Sequence, residues 1–207
     1  MIKKELYPKT VRIGLHPNII ITEKLDGSNL GLFKLGDTLY VATRSNVFAL
    51  NEIEDAKPVL YKGLYGWLKE YGESLLASLN DGSAIWGEWI GMGKLKYDFE
   101  DKRFFMFAKG NVDADFKVTN LKYDPNLFHY SFQEDWTPNY VEHVPVVLPE
   151  AGYEDLNIGA LNYLYDQYTL EVGRNVEGFV ININGQICKY VRMKNGKLAD
   201  HFEHGGE

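Results

Sequence analysis

Ile19-Ile20-Ile21-Thr22-Glu23-Lys24-Leu25-Asp26-Gly27-Ser28-Asn29 is the stretch on which the reading of this chain turns. Its first half is apolar and β-branched, as suits a buried strand. The strand runs into Lys24, and Asp26-Gly27 follows two and three places on as a turn signal. That is the layout of a lysine held at a strand end to attack the phosphorus of a nucleotide. An amine attacks only when unprotonated, and free lysine is protonated at neutral pH. Neighbouring cations and partial desolvation lower its pKa, so the reading demands cations from elsewhere in the chain. The competing reading is a lysine that ends a strand in solvent. Short K-x-D-G matches arise by chance, so the companion segments decide between the two.

Working outward, residues 30–35 and 38–43 read as a hairpin joined at Gly36-Asp37. Ala42-Thr43-Arg44-Ser45 follows, and Arg44 there can reach a phosphate or a ribose. Trp86-Gly87-Glu88-Trp89-Ile90-Gly91 sets a carboxylate inside an apolar strand over residues 84–90. A strand carboxylate between two tryptophans is costly unless paired, so Glu88 calls for a ribose hydroxyl, a hydrated metal or a lysine. Phe104-Phe105-Met106-Phe107, in a strand over 103–109, supplies aromatic faces that can stack on a purine. Core packing accounts for any one of these rings taken alone. Glu177-Gly178-Phe179-Val180 places a second carboxylate at the head of an apolar strand. Two carboxylates beside a triphosphate suit hydrated Mg²⁺, a hard cation that keeps several waters. Arg192 and Lys194 lie two apart on an expected strand and so share a face. They could clamp the phosphate, depress the Lys24 pKa and neutralise a departing pyrophosphate.

The remaining segments give the frame. Residues 56–79 carry Leu60, Leu64, Trp67, Leu68, Tyr71, Leu75 and Leu76 at helical spacing, with Pro58 near the start. Asn80-Asp81-Gly82-Ser83 is a turn. Residues 120–140 show no period and read as loop, 141–148 as a strand and 154–168 as a helix. Residues 177–182 and 186–194 make a last hairpin around Asn184-Gly185, a favoured turn pair. The pattern predicts one α+β domain over residues 1–207 with an extensive antiparallel sheet.

Composition sets bounds. Hydrophobic residues are 45% and charged residues 25% of 207, an ordinary globular mix. The lone cysteine, Cys188, rules out an internal disulfide and a cysteine-built metal site, and the composition fits a reducing, cytoplasmic setting. No apolar h-region follows Met1 and no run reaches membrane-spanning length. A net charge of −7 counts against non-specific coating of nucleic acid but permits a local basic grip. One candidate grip is Lys189, Arg192, Lys194 and Lys197. A second cluster, Lys94, Lys96, Lys102 and Arg103, reads first as a solvated strand face.

Taken together and in this order, the segments resemble the covalent nucleotidyltransferase superfamily of ATP-dependent ligases and capping enzymes. Within it, the RNA ligases similar to bacteriophage RNA ligase 2 look closest. Glu23 to Asn29 looks like that group's K-x-[HD]-G-x-N nucleophile motif. Arg44, Trp86-Gly87-Glu88, Phe104 to Phe107, Glu177 to Val180 and Arg192-Met193-Lys194-Asn195 follow as its later motifs. The resemblance implies an α+β nucleotidyltransferase domain, an ATP-grasp-like ligase adenylation fold with antiparallel sheets flanked by helices. It implies ATP and Mg²⁺ (or Mn²⁺) as cofactors, and nucleic-acid ends, RNA in nicked duplex or single strands, as partners. Lys24 would become the lysyl-AMP and Arg44 would position the phosphate and the reacting end. Glu23, Asp26, Asn29 and Glu88 would bind the nucleotide, with Glu88 also on a metal water. Phe107, or else Phe105, would stack on adenine, and Glu177 would hold the metal. Lys194, with Arg192 beside it, would contact the α-phosphate, with Lys189 as a rival for the first cation of that pair.

Three departures stand out. The phenylalanine segment runs on into Ala108 where the group usually has an aspartate, and Arg192 replaces a common lysine. Arginine is always charged and binds phosphate bidentately, but it is a poor proton donor. Only thirteen residues follow Lys194, so the expectation is a catalytic domain alone, with a partner chain replacing the C-terminal module. A DNA ligase, or an adenylation subunit that needs a partner, is the alternative.

Overall fold

A computed structural model describes residues 19–99, 103–123, 130–133 and 137–192. Two antiparallel sheets carry it. The strands in chain order are β1 (Ile19–Lys24), β2 (Ser28–Leu35), β3 (Thr38–Ala42), β4 (Val47–Ala49), β5 (Ser83–Trp89), β6 (Phe104–Val112), β7 (Val118–Lys122), β8 (Val141–His143), β9 (Val146–Leu148), β10 (Gly178–Ile183) and β11 (Gln186–Val191). The helices are α1 (Ile53–Ala56), α2 (Leu64–Ser78) and α3 (Ile158–Val172). One sheet runs β11-β10-β1-β9. The other runs β4-β3-β2-β5-β6-β7, with β8 added parallel to β6.

Alternation along β1 explains why its sequence is apolar on both faces. Ile19 and Ile21 point to one side and join Phe179, Ile181 and Tyr190 in a core against Leu161, Tyr165 and Tyr168 of α3. Ile20, Thr22 and Lys24 point to the other side and line a cavity. The larger sheet packs Leu30, Leu32, Ile85, Trp89, Phe104 and Met106 against Leu64, Trp67, Leu68 and Leu75 of α2. The α2 positions recur at three, four and eleven residues, the spacing of one helix face.

Both expected hairpins form: β2–β3 turns at Gly36, and β10–β11 turns at Asn184-Gly185 with φ of 52° and 91°. The helix read over 56–79 is shorter. It begins only at Leu64, after Gly63 takes a left-handed φ of 83° that an α-helix cannot hold. The strand read over 141–148 is two strands. Pro145 follows Val144 between them, and the halves part company, β8 pairing with β6 and β9 with β1. The helix read over 154–168 is likewise shifted to Ile158–Val172, capped by Asn157 Oδ1 accepting from Ala160 N at 2.9 Å. The span 120–140 holds the end of β7, a strand exposed throughout its length and therefore without a hydrophobic alternation to read.

Candidate active site

The cavity lies between the two sheets, about 240 Å³ in volume. The smaller sheet contributes Ile20, Thr22, Lys24, Val180, Asn182 and Ile187, and the larger contributes Asn29, Glu88 and Phe107. Tyr123 and Val144 complete the apolar side.

Lys24, paired with Glu177 behind it, forms its charged end. Lys24 pairs in register with Gly178, so the residue before β10 arrives beside it, and Nζ stands 2.6 Å from Glu177 Oε2. The approach is off hydrogen-bonding angle. Oε2 is buried and accepts no hydrogen bond among the described residues, so a lone pair remains open to another donor. Glu88 enters from β5, directly opposite Asn29 of β2. Burial pushes its carboxyl up to about 7. Lys24 opposes that shift, Glu177 adds to it, and an N–H donated by Gly27 opposes it again. Gly27 is glycine for a steric reason: a Cβ there would collide with the Trp89 carbonyl and press on Glu88 Cγ.

Phe107 owes its position to a β-bulge. Trp86 pairs with Ala108 and the next residue, Gly87, pairs with Met106, so Phe107 is the unpaired extra residue. A bulge beside a functional cleft re-aims a side chain. Here the ring lies within 8° of parallel to Tyr123, with centroids 6.3 Å apart. Phe105, the alternative, is 2% exposed and packs with Leu25, Ile90 and Val144 instead.

The structure turns the charged groups of three expected residues to partners other than the cavity. Glu23 borders the cavity, but its carboxylate points to the opposite face of β1. There it is buried and gripped by both guanidinium nitrogens of Arg174 at 2.5 and 2.7 Å and by the Tyr168 hydroxyl at 2.8 Å. Strand alternation forces this, since Lys24 takes the cavity side. Asp26 is an organiser of the following loop. Its Oδ2 accepts from Lys94 N at 2.5 Å and Leu95 N at 2.8 Å, while its own N–H donates to the Tyr97 hydroxyl at 2.6 Å. Arg192 turns to α3, pairing with Asp166 at 2.9 Å and lying over the Tyr165 ring. Both partners are half exposed, so this pair is worth at most about 1 kcal/mol.

Lys189 sits opposite Val180 in the β10–β11 register and two residues from Ile187, hence on the cavity face of its strand. Lys194 lies outside the described residues. Arg44 is exposed in the β3–β4 turn, away from the cavity lining. Its N–H donates to the Tyr61 hydroxyl at 3.4 Å, and that hydroxyl donates to Asn29 O at 3.1 Å. Tyr61 thus ties Arg44 to Asn29.

Sequence reasoning missed Tyr61, Tyr123, Asn182 and Arg174. Asn182 was within reach, two residues beyond Val180 on the same strand face. Its Nδ2 donates to Tyr123 O at 2.8 Å, which fixes the ring's backbone. Tyr123 lies in a segment with no period, Tyr61 falls between the apolar positions of the helix expected over 56–79, and Arg174 follows a helix end at Gly173.

Among the described residues no group of three or more His, Cys, Asp or Glu could hold a metal ion. Glu88 and Glu177 with the open Oε2 fit a cation that keeps most of its waters and takes one or two carboxylates, as Mg²⁺ does. No helix among the described residues is long and apolar enough to cross a membrane.

Comparison with known proteins bears on this geometry. No curated protein matches the chain. Among solved structures it is similar to an archaeal ATP-dependent RNA ligase at 17% identity and a TM-score of 0.45, over 84% of this chain and 42% of that one. The chain therefore spans less than half the length of that protein. Residues 17–194 match the RNA ligase family, a span that begins just before β1 and takes in every described wall of the cavity: the chain belongs to the RNA ligase family.

Proposed function

We propose that this chain is an ATP-dependent RNA ligase that works through AMP carried on Lys24. The observation that carries the reading is the placement of the Lys24 amine. It stands at the head of an apolar cavity, between Glu177 and Glu88, opposite an aromatic ring re-aimed by a bulge.

In the first step Lys24 Nζ forms a bond to the α-phosphorus of ATP, and the bond from that phosphorus to the pyrophosphate oxygen breaks. Glu177 holds the amine and is placed to receive its proton. Phe107 and Tyr123 offer faces for the purine. Glu88 offers its carboxyl to a ribose hydroxyl, and Lys189, on the cavity face, offers charge to the phosphate. The AMP then passes to a 5′-phosphate end, and a 3′-hydroxyl displaces it to form the phosphodiester. Asn29, at the cavity mouth, serves these later steps and Arg44, bonded through Tyr61, positions the incoming end. Glu177 and Glu88 would hold hydrated Mg²⁺ or Mn²⁺, which supplies neutralisation of phosphate charge. The protein's share throughout is positioning and electrostatics.

A joining assay tests the reading. A nicked RNA duplex with a labelled 5′-phosphate is incubated with ATP and Mg²⁺, alongside a DNA duplex of the same sequence. Joined RNA that is lost in Lys24→Ala supports it, and joining of DNA alone redirects it to a DNA ligase.

A further inference from the structure

Outside the cavity lies a group of cations that the adenylation step does not use. Arg44, Lys62, Lys94 and Arg103 are all exposed, and none forms an ion pair with another described residue. They come from four separate segments, yet a chain of contacts joins them. Arg44 N donates to the Tyr61 hydroxyl, and Lys62 is the next residue. Lys62 O accepts from Trp89 Nε1 at 3.1 Å, and Lys62 N donates to Met92 Sδ at 3.3 Å. Gly91, between Trp89 and Met92 in the chain, would place a Cβ 3.6 Å from Arg103 Nη1 and 3.8 Å from Lys62 O. Lys94 is anchored through its amide to Asp26 of the nucleophile segment. That bond and the one from Leu95 N turn the Asp26 carboxylate to backbone donors rather than to a side-chain cation. Met92, half exposed, gives the group an apolar centre.

One end of this arc touches the cavity, because the Tyr61 hydroxyl that meets Arg44 also binds Asn29 O, and Asn29 lines the cavity mouth. The chain as a whole carries −7. Four cations that form no ion pair among the described residues, at one mouth of an acidic molecule, form a local positive site that attracts a polyanion and steers it there. A row of point charges with an apolar centre fits a phosphodiester backbone with its sugars and bases better than it fits a single compact anion.

We infer that the RNA strand bearing the reacting 5′-phosphate lies along the arc Arg44–Lys62–Met92–Lys94–Arg103, its end directed by Tyr61 toward Asn29 and Lys24. This rests on the ligase reading for the identity of the polyanion, while the surface itself is tested separately by binding.

The test uses the full chain and a fluorescent nicked RNA duplex with a 5′-phosphate, its binding followed by anisotropy across a salt series. The variants are Lys62→Ala/Arg103→Ala and Lys62→Glu/Arg103→Glu, with Lys109→Ala/Lys122→Ala, paired at the opposite end of β6 from Arg103, as a control. Thermal melts confirm folding, and AMP uptake by mass is read in parallel. The expected result is RNA binding weakened about tenfold or more by the arc variants. The slope of log K against log salt falls by about 1 for each cation removed, and the control is unchanged. AMP uptake by the arc variants stays at the wild-type level. Unchanged affinity and slope in the arc variants, or loss in the Lys109/Lys122 control instead, overturns the assignment. Should wild type bind RNA but take up no AMP, the ligase reading falls while the binding data still decide the arc.

Discussion

Lys24 Nζ and Glu177 Oε2 stand 2.6 Å apart because the lysine ends β1 opposite Gly178, the first residue of β10. The pair joins the head of one motif to the head of another that lies about 150 residues away, and it is sequestered, with the glutamate side chain only 7% exposed. Glu177→Gln should fold and keep the cavity, yet lose the charge that holds the amine and the acceptor for its proton. Covalent AMP uptake should fall by about 100-fold or more, within the range for loss of a positioned acid–base group. Single-turnover labelling checks this, and wild-type labelling in the variant would remove Glu177 from the chemistry.

Glu88 gives a pH signature. Its carboxyl is raised from 4.5 to about 7, mainly by burial, so the folded state binds a proton that the unfolded state has released between those values. The contribution is therefore fully present below about pH 4.5 and is lost as pH rises through about 7. Stability should decline over that window by a contribution on the order of 2–3 kcal/mol. Glu88→Gln should flatten this part of the profile, and denaturant melts at pH 5 and pH 8 measure it. An identical slope in both proteins would contradict the assignment.

Phe107 and Phe105 are two residues apart and should behave oppositely. Phe107→Ala removes a partly exposed ring from the bulge and a stacking face worth about 1–3 kcal/mol, or roughly 5- to 150-fold in the KM for ATP. Its thermal stability should change little. Phe105→Ala empties a core position and should cost about 3–5 kcal/mol of stability while sparing KM. Kinetics and melts on both variants separate the roles.

Arg174 reaches β1 from the far end of α3, lies over the Tyr97 and Phe99 rings, and neutralises Glu23 beside the nucleophile. Arg174→Ala leaves that buried carboxylate unpaired and should destabilise by about 3–5 kcal/mol. The double variant Arg174→Ala/Glu23→Gln should recover part of the loss, which a double-mutant cycle of melts quantifies. Additive losses would show that the two act independently.

Much of this was legible in the chain. The apolar runs located β1, β5 and β10, and the turn pairs placed both hairpins, because those signals are local. The motif order picked out Lys24, Glu88, Phe107 and Glu177, all of which converge on one cavity. What the local pattern did not show was facing. Glu23 and Lys24 are neighbours in sequence, yet a pleated strand sends them to opposite sides, one to Arg174 and one to the cavity. Arg192, just past the end of β11, fell on the α3 side, and Lys189 within β11 on the cavity side. Asp26 carries a motif position but satisfies backbone amides of the 91–99 segment, a contact about 70 residues distant that no local pattern announces. Tyr123 sits in an aperiodic segment and Tyr61 just ahead of the shortened α2, and only the folded chain shows what they touch.

Intact-protein mass after incubation with ATP and Mg²⁺, followed by peptide mapping, tests the central claim most directly. The account predicts the addition of one AMP, mapped to Lys24 and absent from Lys24→Ala. A folded wild-type protein that gains no AMP, or a Lys24→Ala variant that still gains it, would contradict it.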